Sequence, residues 1–259
     1  MPAIEPYWQD EARGLTLYHG DCRDILPHFA DGEFGMLHTD PPFEVTITSF
    51  STRTPAFAAL AQSGWAFNHG WLPEAARCLV EGAGCYVWMN DEGWSSLRAD
   101  GIACGLRPCQ RLIWVKTNPR PSLPRKNYRS GTELCMYLTR GEKTSYFEAE
   151  SQRDCLPVFH APIVNGKERV GHPSQKPESI VRGFLRRSAP ANLAVLDPFC
   201  GSGTTLAACA KLGLPCTGIE LEEKYCHMAA SRLSKDLTYG EPNLFSEVVG
   251  GSCARDETD

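Results

Sequence analysis

The 259-residue chain lacks any run approaching the roughly 18 consecutive apolar residues that a membrane helix requires, which excludes a helical membrane span. Its first residues, MPAIEPYWQDEARG, also lack the basic start and apolar stretch of an export signal, so the expectation is a cytoplasmic protein. Cysteine is present in number, with 12, but neither a Cys-x-x-Cys pair nor a Cys/His cluster at metal-ligand spacing occurs. That excludes a structural zinc site and leaves the thiols as free, mostly buried small apolar groups. Repeats and low-complexity tracts are lacking as well. So is positive charge: the formal net charge is −5, which argues against a polyanionic partner if the charges were spread evenly. They are not. Between Gly101 and Thr132 lie seven basic residues (Arg107, Arg111, Lys116, Arg120, Arg125, Lys126 and Arg129) and no acid, whereas the tail after Tyr239 holds five acids and one arginine. One segment therefore has the footprint of a nucleic-acid contact.

A composition that is 42% apolar supports one large core. The expectation is a single domain over residues 1–237, with an irregular excursion at about 140–170 and a flexible acidic tail over 238–259. Short β-type runs predict strands at Leu15–His19, Phe34–Thr39, Cys85–Met89, Arg111–Lys116, Glu133–Thr139, Leu193–Leu196 and Cys216–Ile219. Helical patterns lie at Arg23–Phe29, Pro73–Val80, Glu92–Ala103, Glu178–Arg187, Thr204–Leu212 and Glu222–Leu233. Such alternation implies an α/β fold with a mostly parallel sheet covered on both faces. The Arg111–Lys116 and Glu133–Thr139 strands interrupt it, because only the connector TNPRPSLPRKNYRSG separates them, and they are expected to pair antiparallel.

The segment Asp197-Pro-Phe-Cys-Gly-Ser-Gly-Thr-Thr205 joins the apolar strand LAVL to the helix TLAACAKLG. A glycine turn at that position lets backbone amides approach a ligand at the carboxyl edge of the sheet. One strand later, CTGIE ends in Glu220, an acid able to accept hydrogen bonds from both hydroxyls of a ribose. A P-loop is excluded, since Thr204 stands where the phosphate-binding lysine belongs, and a dinucleotide loop is disfavoured by Leu206 three residues after Gly203. A nucleoside without phosphates fits better.

A second constellation, Thr39-Asp40-Pro41-Pro42-Phe43, ends the strand FGMLHT. Consecutive prolines hold the turn extended and rigid. An aromatic amine is a poor nucleophile because its lone pair is delocalised into the ring. The Asp40 carboxylate and the Pro41 carbonyl, each accepting one N–H, would bias the nitrogen toward tetrahedral geometry and stabilise developing positive charge. Phe43 offers a face for an extruded base, worth on the order of 1–3 kcal/mol.

These segments together resemble the β class of amino-methylating DNA methyltransferases, which act on N6 of adenine or N4 of cytosine. Their catalytic tetrapeptide is [Asp/Ser/Asn]-Pro-Pro-[Tyr/Phe/Trp], and their S-adenosyl-L-methionine (AdoMet) loop comes later in the chain. The similarity runs in order through YHGDCRDIL (Tyr18–Leu26), TDPPF (Thr39–Phe43), WVKTNP (Trp114–Pro119) with a Glu133-bearing strand, GHPSQKP (Gly171–Pro177), LDPFCGSGTT (Leu196–Thr205) and GIELEEKYC (Gly218–Cys226). The resemblance implies a circularly permuted, Rossmann-like methyltransferase fold with a seven-stranded sheet and one antiparallel strand. It implies catalytic roles for Asp40, Pro41, Pro42 and Phe43. It implies cofactor contacts from Asp21 and Cys22 at the adenine end, Ser174 and Lys176 along the methionine part, and Asp197, Phe199, Gly201, Gly203, Thr204 and Glu220. The implied substrate is double-stranded DNA, touched by Arg120, Arg125, Lys126 and Arg129 along its phosphates. Asp40 in place of serine favours adenine, and Phe43 in place of tyrosine keeps the stacking face without a hydroxyl. The small excursion over 140–170 leaves little material for reading a sequence, which favours a homodimer. An amine in RNA or protein, and a regulator that binds without turnover, are the rival readings.

Overall fold

The computed structural model describes residues 4–42, 69–121, 128–170 and 175–235. Nine strands form one sheet: β1 (Trp8–Asp10), β2 (Leu15–His19), β3 (Phe34–Thr39), β4 (Leu79–Met89), β5 (Leu106–Lys116), β6 (Thr132–Arg140), β7 (Val158–Ala161), β8 (Ala194–Asp197) and β9 (Cys216–Glu220). Their spatial order is β1-β2-β9-β8-β3-β4-β6-β5-β7. The helices are α1 (Cys22–Ile25), α2 (Leu72–Arg77), α3 (Trp94–Ala103), α4 (Glu178–Ser188), α5 (Thr204–Leu212) and α6 (Glu223–Lys235). Among the described residues no helix is long and apolar enough to cross a membrane.

The expected fold class holds, but the sheet is wider than seven strands, and two of its strands, not one, run against the rest. β1 pairs antiparallel with β2, and β6 pairs antiparallel with both β4 and β5, as its short linkage to β5 required. β1 is three residues long and carries no readable alternation, so pairing creates it. β7 lies inside the stretch 140–170 expected to be irregular, and returns to the sheet edge parallel to β5.

All six residues of β3 are buried, as a central parallel strand covered on both faces requires. Alternation along β4 sends Tyr86 and Trp88 toward one apolar cluster and Cys85, Val87 and Met89 toward another. The first cluster includes Phe184 and Leu185 of α4, Leu206 of α5 and Leu233 of α6, and there the Tyr86 and Phe184 rings stack with centroids 4.5 Å apart. The second includes Ile25 of α1, Leu72 and Ala75 of α2 and Leu97 of α3. Each helix set covers one face.

From β8 the chain passes through α5 to β9 on one side, whereas from β3 it proceeds to β4 on the other. Connections diverging from two adjacent parallel strands open a crevice at their carboxyl ends. That switch point lies between Asp197, the last residue of β8, and Thr39, the last of β3.

Candidate functional site

At the switch point, hydroxyl groups tie the two strand ends together. The Thr39 Oγ1–H donates to Asp197 Oδ1 at 2.8 Å, Thr205 Oγ1 donates to Asp197 Oδ2, and the Phe199 N–H reaches Oδ1 at 3.2 Å. Behind them the Trp88 indole N–H lies 3.0 Å from His38 Nε2. Indole can only donate, so Nε2 accepts, and the proton sits on Nδ1, which donates to Thr205 Oγ1 at 2.9 Å. Burial, with the nearby Lys176 charge in second place, pushes His38 down to about 3, so the ring is neutral. Burial also pushes the Asp197 carboxyl up to about 7 against the donors it accepts from. Asp197 thus fastens the end of β3 to the glycine loop.

One residue beyond Thr39, Asp40 meets charge instead of hydroxyls. Lys176, just ahead of α4, pairs through Nζ with Asp40 Oδ2 and lies 3.2 Å from Glu133 Oε2, while Lys116 Nζ is 2.8 Å from Glu133 Oε1. The two ammonium groups sit over indole rings, Lys176 at 5.2 Å from the Trp88 centroid and Lys116 at 5.3 Å from that of Trp114. Burial raises the Asp40 carboxyl above the ordinary aspartate value, with Lys176 acting against it. Burial works to lower Lys176, but Asp40 and Glu133 carry it above the ordinary lysine value. Glu133, which burial alone would raise, is held low by Lys176 and Lys116. The other oxygen, Asp40 Oδ1, is buried and has no hydrogen-bond partner among the described residues.

The other half of the crevice is made mostly of backbone. Gly201 and Gly203 adopt positive φ of 53° and 77°, and the Gly201 N–H donates to Glu220 Oε2 at 2.8 Å. The Glu222 N–H takes Oε1 at 2.8 Å, leaving the carboxylate further lone pairs for ligand hydroxyls. Burial raises Glu220, and these N–H groups offset the rise. A Cβ on Gly203 would lie 2.9 Å from that of Ala229, so it is α6 that demands glycine there. Thr204 Oγ1 accepts from Arg232, which also pairs with the buried Glu178 at 3.1 Å. Asp21 caps α1 through the Arg23 N–H at 2.8 Å and pairs with the Arg23 guanidinium. Its neighbour Cys22 buries its side chain in an apolar cluster, where burial pushes the thiol up to about 12. A ligand contact from Cys22 would therefore be made by its backbone.

The structure thus gathers Asp21, Asp40, Lys176, Asp197, Phe199, Gly201, Gly203, Thr204 and Glu220 at the carboxyl edge, with Pro41 and Pro42 following β3. Phe43, Ser174, Arg125 and Lys126 lie outside the described residues. Arg120 and Arg129 flank the connector leaving β5 at the same edge, where the Arg129 guanidinium donates to the carbonyls of Pro119 and Arg120. Of the seven basic residues grouped by sequence, Lys116 is drawn into the site, and Arg111 lies 4.2 Å over the Trp94 ring. In the sequence Glu133 stands out only as a landmark, and nothing there marks the contacts made by His38, Thr39, Lys116 and Arg232 beyond the polar pair His38-Thr39 at the end of an apolar strand.

Residues 34–231 match the family described as DNA methylase, N6_N4_Mtase. The chain is 27% identical to the Type II methyltransferase M2.LlaDCHI of Lactococcus lactis subsp. cremoris, over 91% of this chain and 94% of that protein. Its fold is similar to that in the crystal structure of an M1.HpyAVI–SAM complex, with TM-score 0.66 and 22% identity over 84% of this chain and 99% of the other. It is also similar to the cytosine-N4-specific PvuII DNA methyltransferase, with TM-score 0.69 and 14% identity over 88% and 89% of the two chains. The chain belongs to the N6/N4 DNA methylase family.

Proposed function

We propose that this DNA methylase transfers a methyl group from AdoMet to the N6 amine of adenine in a specific short duplex sequence, after the base has been extruded. The observation that carries the reading is the orphaned, buried Asp40 Oδ1, an acceptor on an ion-paired carboxylate with its second oxygen committed elsewhere. A buried acceptor left without a donor is costly unless a ligand supplies one. An exocyclic amine does so: Oδ1 accepts one N–H, the carbonyl of Pro41 the other, and the nitrogen lone pair is released from the ring. After methylation the nitrogen carries an extra proton, and Oδ1 is the acceptor placed to take it. Phe43 supplies the stacking face in this reading.

The crevice suits a nucleoside cofactor: Glu220 retains lone pairs for ribose hydroxyls, and the Gly201–Gly203 turn brings backbone close. Bound AdoMet supplies an electrophilic methyl group. Asp21, the backbone of Cys22, Phe199, Thr204 and Ser174 complete its surroundings in this reading, and Asp197 acts by holding the loop. Aspartate at the head of the tetrapeptide favours adenine. The alternative, N4 of cytosine, is supported by the likeness in fold to a cytosine-N4-specific enzyme. We assign the domain to residues 1–237, target reading to residues 140–170, and phosphate contacts to Arg120, Arg125, Lys126 and Arg129. With so little material for recognition, a homodimer on double-stranded DNA in the cytoplasm fits best.

Two experiments test this. Asp40→Ala should reduce transfer of tritiated methyl to unmethylated DNA by on the order of 10³-fold, with AdoMet affinity kept within about a few-fold. Normal turnover would remove Asp40 from the mechanism. Single-molecule sequencing of DNA from an expressing host should report modified adenine in one sequence context, and modified cytosine would install the alternative.

A further inference from the structure

Four charged side chains in alternating sign run from β5 across β6 to the end of β3: Lys116, Glu133, Lys176 and Asp40. Their contacts are 2.8 Å and 3.2 Å on the two sides of Glu133, and the third joins Lys176 to Asp40 Oδ2. The side chains of Lys176 and Lys116 are only 5% and 11% exposed, so neither belongs to a solvated surface. A buried charge is tolerated when it is paired, and each inner member of this row has an opposite charge on both sides. We propose that Lys176 is a positioning residue that keeps Asp40 an anion with Oδ1 turned to the target amine, and that Glu133 and Lys116 hold Lys176 in its place. This rests on the reading of Asp40 as the amine-binding group, and assigns Lys176 to the carboxylate rather than to the methionine part of the cofactor.

The chemistry requires such an arrangement. Burial favours the neutral acid, and a protonated Asp40 would accept an N–H of the amine more weakly and could not take up the proton released afterwards. An ammonium on Oδ2 opposes protonation and fixes the rotamer at once. Lys176 in turn needs a second anion to stay charged in place, which Glu133 provides, and Lys116 offsets Glu133. Among the described residues, the other groups that act on Asp40 are the Asp197 carboxyl at the end of β8 and the Cys135 thiol on β6, and the neutral His38 on β3 faces Lys176. None of them is a cation, so Lys176 is the group that decides the charge state.

The test is the pH dependence of single-turnover methyl transfer to DNA made methyl-free by enzymatic amplification. Lys176→Met should move the acid limb of the profile to higher pH by about one unit or more, because an opposite charge at this range lowers a carboxyl by about that much. Glu133→Gln, of nearly the same shape, should move the limb the other way, since Glu133 is a like charge beside Asp40. Lys176→Arg should leave the limb in place. AdoMet affinity by calorimetry should stay within about threefold in all three. A packing defect would not displace the limb in opposite directions. Unmoved limbs in both Lys176→Met and Glu133→Gln overturn the proposal, as does a loss of AdoMet affinity beyond about tenfold in Lys176→Met with the limb unmoved. If Asp40→Ala itself retains transfer, the reading of Asp40 fails; if that variant is dead while the limbs stay put, only the row of charges fails.

Discussion

The two halves of the crevice satisfy their buried carboxylates by different means. On the side of β8 and β9, Glu220 accepts from backbone N–H groups and Asp197 from two threonine hydroxyls and an N–H, with no salt bridge to either among the described residues. On the side of β3, β6 and β5, Asp40 and Glu133 are held by lysines. Neutral donors make a carboxylate a fixed part of the scaffold, whereas an ammonium keeps it charged and leaves an oxygen free to act. On the proposed reading of Asp40, one half holds and the other reacts.

The largest expected effect comes from breaking the backbone half. A left-handed conformation costs an L residue roughly 1–2 kcal/mol. In Gly203→Val the new Cβ also meets Ala229 at 2.9 Å, so the loop must move. AdoMet affinity should fall by at least about 100-fold, measured by calorimetry. Retained affinity would mean that this half tolerates side chains and does not depend on close backbone approach.

A smaller effect is expected at the seam. The Asp197 carboxyl is pushed up to about 7 from an ordinary 3.8, so between those values the folded protein holds this proton more firmly than the unfolded chain. Its contribution to stability is therefore greatest in acid and is lost as pH rises from about 4 to about 7. Asp197→Asn carries no such proton. The stability of wild type minus that of the variant, from urea midpoints, should fall across this window and level off above it. A difference independent of pH would show that Asp197 is charged like Asp40, and the contrast between the halves would lapse.

The smallest concerns the rim. Arg120→Ala should lower the salt slope of DNA binding by about 1 if it makes one phosphate contact, and leave the methylated sequence unchanged. An unchanged slope would return Arg120 to the solvated surface, and an altered target would make this connector a reader of bases.

Strands β2 and β3 and helix α5 begin and end where the sequence pattern predicted them, because apolar alternation, the Asp-Pro-Pro turn and the glycines are local properties. The backbone half of the site was legible for the same reason: a glycine turn between a strand and a helix, with an acid one strand later, is a property of consecutive residues. The short edge strands were not, since β1 and β7 exist only through the partners they meet.

The charged half was decided by tertiary structure. Asp40 and Lys176 are 136 positions apart, and no spacing rule links either to Lys116 or Glu133. The sheet order β3-β4-β6-β5 brings them to one edge. By itself the sequence determined that Asp40 ends a strand in a rigid turn and that a lysine precedes α4. That the two meet, and that Lys116 leaves the basic stretch to join them, follows from pairing across strands, where Coulomb energy depends on distance through space and not along the chain.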